Sequence, residues 1–384
     1  MSAYMWNTFC PTLFGTGASK EVGNKARELG MHKVMVCTEH ALCEFKVATQ
    51  VIDGVEAAGL EVFVFDKCMA DAPSNICDEG AAFVRKYEID GIVAVGGGST
   101  MDTAKAICII ISQNGTTIRD YYNIGEAEHG MKLITLSTTS GTGSEISQWA
   151  VIGDAVTGVK EMPVYKPDMA IVDPVLTYSL PAGATASTGM DVLAHCVEAL
   201  TNRNYNPYGY IFGKEGIRLT FEWLPDAVKE PGNEKAREMM SLAANLGGMA
   251  ISACGCQIGH SFAQTFGAKY HIPHGLGCAW GLPGVLTYTA KYGERQNLEA
   301  VADAMEIAYS DKMDTMKLAQ ILSEKVIGLM KELGIKPIRE SGYTLEECMS
   351  VADRFEHDGA FENSPGEPGF KEIEEYITYT YEVY

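Results

Sequence analysis

The run Gly91-Ile92-Val93-Ala94-Val95 passes directly into Gly96-Gly97-Gly98-Ser99 and then into Thr100-Met101-Asp102-Thr103-Ala104-Lys105-Ala106, the start of a helix that continues through Ile107–Ile111. An apolar run, a glycine turn and a helix in direct succession make a strand–turn–helix unit, and parallel strands need such crossover helices between them. Glycines between a strand end and a helix start leave backbone N–H groups free to approach a pyrophosphate at the positive end of the helix dipole. The turn therefore reads as a phosphate cradle, against the plainer alternative of a tight glycine turn with no ligand. It is not the G-x-G-x-x-G of a standard Rossmann unit, and it follows the third strand instead of the first.

The rest of the first half repeats the unit. Val34–Cys37, Val62–Phe65 and Leu133–Leu136 are further apolar runs, with helical periodicity over Lys20–Leu29 and Ala48–Ala58, and Gly30 and Gly59 as helix stops. A second turn, Ser137-Thr138-Thr139-Ser140-Gly141-Thr142-Gly143-Ser144-Glu145, follows the fourth strand, where open α/β sheets bind ligands. Glu39 follows the first strand. A carboxylate there accepts hydrogen bonds from an adenosine ribose and repels a 2′-phosphate, so NAD is expected over NADP. From Leu180-Pro181 onward the chain reads as amphipathic helices: Met190–Thr201, Tyr208–Leu224, Glu234–Cys254, Asn297–Ile307, Thr315–Leu333, Thr344–Arg354 and a final charged segment over Glu372–Ile377. The expectation is an α/β dinucleotide-binding domain with a parallel sheet over 1–178, an all-helical domain over 179–384, and an active site in the cleft between them.

The helical half carries the metal chemistry. In Gly189-Met190-Asp191-Val192-Leu193-Ala194-His195, Asp191 and His195 stand four apart and share one helix face. A carboxylate with up to three imidazoles suits Fe(II), Zn(II), Co(II) or Ni(II) better than Ca(II) or Mg(II). The plainer reading of such a pair is a helix-surface hydrogen bond. His260 and His274 are candidates to complete the set, the latter held between Pro273 and Gly275. Each alone is more often a packed or surface histidine. Eleven scattered cysteines without a CxxC pair exclude a disulfide framework or zinc ribbon and fit a reducing compartment. Cys256, one turn before His260, is a candidate pocket residue, with core packing as its ordinary role. The net charge of −20 repels nucleic acid and acidic lipid, so any nucleotide must be held by backbone amides. The opening Met1–Asn7 lacks the marks of a signal peptide and no run of eighteen apolar residues occurs, so a cytoplasmic protein without membrane or nucleic-acid partners is expected.

These stretches, in this order and over nearly the whole chain, resemble the iron-containing (group III) alcohol dehydrogenases. The motifs that carry the likeness are Gly96-Gly97-Gly98-Ser99 with Asp102 and Lys105, Thr138 to Glu145, Asp173-Pro174, Ser179-Leu180-Pro181, Gly189-Met190-Asp191 with His195 and Glu198, then His260 and Pro273-His274-Gly275. The resemblance implies the dehydroquinate synthase-like fold of that family. It implies Asp191, His195, His260 and His274 as ligands of a divalent metal, Fe(II) first and Zn(II) as the alternative. It places NAD(H) on Glu39, Gly96, Gly97, Gly98, Ser99, Asp102, Thr138, Thr139, Thr142 and Leu180. The implied reaction moves a hydride between nicotinamide and a small aldehyde or primary alcohol, in a homodimer or larger homo-oligomer.

Some positions depart from the family pattern. Four residues after His260, where many relatives carry a second histidine, stands Gln264, whose amide cannot shuttle a proton near neutral pH. His271 is then a candidate relay, or an anchor for an anionic substrate tail. Trp149 lies where the family lines its substrate pocket, and the segment His357–Gly366, with Phe361, also diverges. Together they point to a small substrate with a polar group. Three other readings compete. A dehydroquinate synthase-like lyase requires a Glu/His/His set and basic residues for a phosphate-bearing substrate. A zinc glycerol-dehydrogenase-like enzyme lacks one ligand. A non-catalytic nucleotide-binding protein has no use for the full ligand set.

Overall fold

The computed structural model describes Tyr4 and residues 10–384; the remainder of the opening segment, on which the absence of a leader was read, lies outside the described residues. Within them the chain divides into two compact units, one of residues 10–139 and 143–180, the other of 140–142 and 181–384.

The first unit is α/β. Its strands are β1 (Thr12–Phe14), β2 (Lys33–Cys37), β3 (Glu61–Phe65), β4 (Gly91–Gly96), β5 (Lys132–Ser137), β6 (Ile152–Gly153), β7 (Lys160–Glu161) and β8 (Met169–Val172), and its helices α1 (Val22–Glu28), α2 (His40–Glu44), α3 (Val47–Ala57), α4 (Ser74–Tyr87) and α5 (Gly98–Ser112). Six strands form one all-parallel sheet in the order β1-β8-β5-β4-β2-β3, while β6 and β7 make a separate antiparallel ribbon. Side chains alternate across the sheet as the pleat requires. Val34, Val36, Val93, Val95, Ile134 and Leu136 enter the core on one face, and Met35, Cys37, Ile92, Ala94 and Leu133 enter the core on the other. Both faces being covered explains why these strands read as continuous apolar runs. Strands β1 and β8 were not expected. With three and four residues they are too short to show a period, and they are held by pairing, Thr12 opposite Ala170 and Ala170 opposite Thr135.

From β2 the chain steps to β3 at one edge, and from β4 it steps through β5 and β8 toward the other. The order of the sheet therefore reverses between β2 and β4, and ligands of open α/β sheets bind at the carboxyl ends of strands at such a point. Thr38-Glu39 and Gly96-Gly97 are the residues found there.

The second unit is helical: α6 (Ala182–Thr201), α7 (Pro207–Lys229), α8 (Glu234–Cys254), α9 (Ile258–Tyr270), α10 (His274–Tyr292), α11 (Arg295–Ala304), α12 (Thr315–Glu332), α13 (Leu345–Met349) and α14 (Phe370–Val383). The helix expected over Thr344–Arg354 is instead the short α13 followed by a 3₁₀ turn, Ala352–His357. Helices α9 and α10 are not among the segments expected as amphipathic helices, although Cys256 and His260 are read one helical turn apart. In α10, Gly275, Gly277, Gly281, Pro283 and Gly284 lower helix propensity, by about 1 kcal/mol for each glycine. Packing overrides propensity, because α10 is the buried helix against which α6, α9, α12 and α14 all lie. Its small residues are what permit this: a Cβ on Gly275 would lie 2.1 Å from the Ser187 carbonyl oxygen of α6. Among the described residues no single helix is long and apolar enough to cross a membrane.

Candidate active site

Helix α6 delivers Asp191, His195 and Glu198 at positions i, i+4 and i+7, on one face. His260 comes from the first turn of α9, and His274 begins α10 immediately after Pro273. The Nε2 atoms of His195, His260 and His274 lie 3.7, 3.5 and 3.6 Å from one atom, Asp191 Oδ1. These separations are too long for good hydrogen bonds. They match the spacing of about 3.4 Å between donors that each sit about 2.1 Å from a shared tetrahedral ion. Asp191 is 1% exposed, and its Oδ1 has no hydrogen-bond partner among the described residues. A buried carboxylate oxygen without a donor is strongly unfavourable unless something positive occupies the space it faces. The donor set therefore fits a divalent ion.

The electrostatics agree. Burial pushes the Asp191 carboxyl up, but the imidazoles of His195, His274 and His260 outweigh it and hold the carboxyl well below its usual range. Burial lowers His195 to about 4 against the pull of Asp191, so the ring is neutral and its lone pair is available at neutral pH. Three of the four side chains are enclosed, whereas the His274 side chain is 32% exposed, so the cluster is open on that side.

Glu198 acts on the site through His260. Its Oε1 accepts from His260 Nδ1 at 2.9 Å, and its other oxygen accepts from the Gln257 backbone N–H. Because a carboxylate only accepts, His260 must carry a proton on Nδ1, which leaves Nε2 as the ring atom facing Asp191. Gly259 makes this approach possible, since a Cβ there would stand 2.4 Å from Glu198 Oε1. The sequence placed Glu198 in a motif but gave it no task.

The remaining candidates of this unit are Cys256, Gln264, His271 and Phe361. Cys256 has its sulfur within 4.8 Å of donor nitrogens of His195 and His260. Gln264 lies one turn beyond His260, buried, with its Oε1 lacking a hydrogen-bond partner among the described residues. His271 is exposed and caps α9 in the left-handed conformation at φ 55°. Phe361, in a 3₁₀ turn, packs edge-on against Phe355, and the divergent segment is tied to α9 by Ser261 Oγ donating to Asp358 Oδ1 at 2.9 Å. Cys278 was missed. Its sulfur lies 3.7 Å from His260 Nε2 and 3.6 Å from His274 Nε2.

In the α/β unit Gly97 caps α5 in extended conformation, with Gly96 ending β4 and Gly98 and Ser99 opening the helix. Glu39 Oε1 accepts from Thr100 Oγ1 at 3.0 Å, and a Cβ on Gly97 would face Thr139 at 3.6 Å and Glu39 at 4.0 Å. Backbone amides, a carboxylate and hydroxyls thus meet at the switch point of the sheet, a set that suits a dinucleotide with a free 2′-hydroxyl. Thr138 N–H donates to the Gly96 carbonyl at 2.9 Å, linking the two loops. A fully buried Lys105 binds them further: its Nζ donates to Ser144 Oγ and to the Trp149 carbonyl, both at 2.8 Å, while Ser144 donates to Asp102 Oδ1 at 2.7 Å. Leu180 N–H closes a turn on the Thr177 carbonyl. Thr142 belongs to the short stretch that packs with the helical unit, where Ser140 Oγ lies 3.2 Å from Ser241 Oγ.

Residues 11–174 match the family model of iron-containing alcohol dehydrogenases, and residues 185–381 match that of the Fe-containing alcohol dehydrogenase C-terminal region. The chain is 35% identical to an NAD-dependent methanol dehydrogenase of Bacillus methanolicus over 74% of this chain and 76% of that one. It is 32% identical to a 1,3-propanediol dehydrogenase of Citrobacter freundii over 98% of both. Among solved structures it resembles a sulfoacetaldehyde reductase from Bifidobacterium kashiwanohense in complex with NAD+, with a TM-score of 0.86, 27% identity and coverage of 100% of each chain.

Proposed function

Because the chain belongs to the iron-containing alcohol dehydrogenase family, we propose that it interconverts a short, polar-substituted aldehyde and its primary alcohol with NAD(H), at the cluster of Asp191, His195, His260 and His274. The observation that carries this reading is the buried Oδ1 of Asp191, without a hydrogen-bond partner among the described residues and ringed by three imidazole nitrogens. When bound, a divalent ion, Fe(II) or Zn(II), supplies Lewis acidity toward the substrate oxygen, and the dinucleotide supplies or accepts the hydride.

The protein's own groups position and exclude. Asp191 and the three histidines fix where the reacting oxygen sits, and the enclosure of Asp191, His195 and His260 keeps water from all but the His274 side. Gly96, Gly97, Gly98 and Ser99 hold the pyrophosphate on backbone amides, which a chain of net charge −20 needs in place of a basic surface. Glu39, with Thr138 and Thr139 beside it, takes the ribose hydroxyls. Asp102 and Lys105 position both loops. Cys256, Gln264 and Phe361 shape the space for the substrate. Gln264 donates or accepts a hydrogen bond but carries no proton, so His271, exposed at the end of α9, passes the alcohol proton to solvent or anchors an anionic tail.

The relatives are named for methanol, 1,3-propanediol and sulfoacetaldehyde, all short substrates. A panel of C2 to C6 aldehydes with and without hydroxyl, carboxylate or sulfonate groups, assayed with NADH and NADPH on metal-loaded protein, tests the proposal. It expects turnover with NADH and the highest kcat/KM on a short polar member. Turnover of none of them contradicts it. His271→Asn should lower kcat and alter its pH profile, and an unchanged profile removes His271 from the proton path. The eleven free thiols support a cytoplasmic location, and a homodimer or larger homo-oligomer is proposed with it.

A further inference from the structure

Resting on the function proposed above, we propose that the sulfur of Cys278 is a further donor to the divalent ion at Asp191, His260 and His274. The four side chains each offer one atom, and these atoms all lie within 4.8 Å of one another. The sulfur stands 3.7 Å from His260 Nε2 and 3.6 Å from His274 Nε2. Donors about 2.3 Å (sulfur) and about 2.1 Å (nitrogen) from one ion can stand no more than about 4.4 Å apart. Cys278 therefore already stands at donor spacing from two ligands, and Asp191 Oδ1, buried and without a hydrogen-bond partner among the described residues, faces the same group.

The placement is not loose. Cys278 follows His274 by four residues on α10, so one helix face presents both. That helix is pinned by Gly275 against the Ser187 carbonyl and by Gly277 against Ala263 Cα, where an added Cβ would stand at 2.1 and 2.9 Å. Cys278 is 1% exposed, so no outside group competes for its sulfur. Cys256 differs: it precedes α9, is only partly buried, and groups with His195 and His260. On binding, a metal–sulfur bond forms, the S–H bond breaks and the proton passes to water. A soft donor among imidazoles and a carboxylate favours Zn(II), Co(II) and Fe(II) over Mg(II), Ca(II) and Mn(II).

The test uses the cobalt(II)-substituted holoenzyme, whose spectrum reports on ligands independently of turnover. Wild-type protein should show the visible absorption of bound cobalt together with a near-ultraviolet thiolate-to-cobalt charge-transfer band. Cys278→Ser should keep the visible bands, lose the near-ultraviolet band and bind cobalt about tenfold more weakly. Cys256→Ser should keep both features. Cobalt bound without the charge-transfer band in wild type, or with that band surviving in Cys278→Ser, overturns the role of Cys278 and leaves the proposed function standing. Failure of wild-type protein to bind cobalt at all overturns both.

Discussion

Asp191 concentrates the chemistry in one oxygen atom, and the residues around it are legible in the sequence to different degrees. The four-residue spacing of Asp191 and His195 is visible in the chain itself, whereas their meeting with His260 and His274 has no local signal and came from the order of motifs. Glu198 sits three residues beyond His195, on the same face, yet spacing does not reveal that its partner is His260, 62 positions away. Glu198→Gln should leave the Gln257 N–H facing an amide NH₂ and weaken the grip on His260 Nδ1, lowering affinity for zinc or iron about 10- to 100-fold. Chelator competition measures this, and an unchanged affinity removes Glu198 from the metal site. The pH response of the metal-free protein follows from His195. Its folded value of about 4 lies below the ordinary 6.5, so between these values the unfolded chain binds a proton that the folded chain refuses. Stability of the metal-free protein should therefore fall as pH drops from about 6.5 toward 4, by at most about 1.4 kcal/mol per pH unit from this group, and be flat in this respect above it. The depressed Asp191 carboxyl acts only below this window. Thermal denaturation of wild type and His195→Gln, both metal-free, checks the sign: the variant should lose less on going from pH 7 to 5, and equal losses refute the assignment.

Helices α9 and α10 show where reading elements from sequence stops. A segment with Gly275, Gly277, Gly281, Pro283 and Gly284 has poor local credentials as a helix, and its glycines read more readily as a loop. Their use becomes apparent only in three dimensions, as sites where another backbone comes within a methyl group's width. Overlooking α10 also hid Cys278, because the four-residue spacing from His274 that would have revealed it has meaning only on a helix. Strands β2 to β5, by contrast, lie within a residue of the apolar runs that predicted them, and in β2, β4 and β5 burial on both faces of the sheet is what makes those runs continuous. Gly275→Ala tests the close approach of α10 to α6. The clash is with a main-chain oxygen, which cannot rotate away, so His274 must shift with its helix. The variant should lose about 1–3 kcal/mol of stability and bind metal more weakly. Unaltered metal affinity and melting would show that the contact is looser than described.

At the scale of the whole molecule, the α/β half was readable because a glycine turn at a strand end has few uses and the reversal of strand order falls beside it, between β2 and β4. The acidic balance of the chain then required a dinucleotide to be held by backbone and hydroxyl groups, and the loops at Gly96–Ser99 and Thr138–Thr139 provide them. In the helical half the amphipathic helices were readable, whereas α10, with Gly275, Gly277, Gly281 and Gly284, has little periodicity to read. What joins these observations into an enzyme is the claim that one carboxylate from α6 and three imidazoles from α6, α9 and α10 grip a single ion. Anomalous diffraction at the iron or zinc absorption edge, from crystals of the metal-loaded protein, measures this directly. The account predicts one peak within bonding distance of Asp191 Oδ1 and of Nε2 of His195, His260 and His274. A peak elsewhere, or these four side chains turned away from it, would contradict the account.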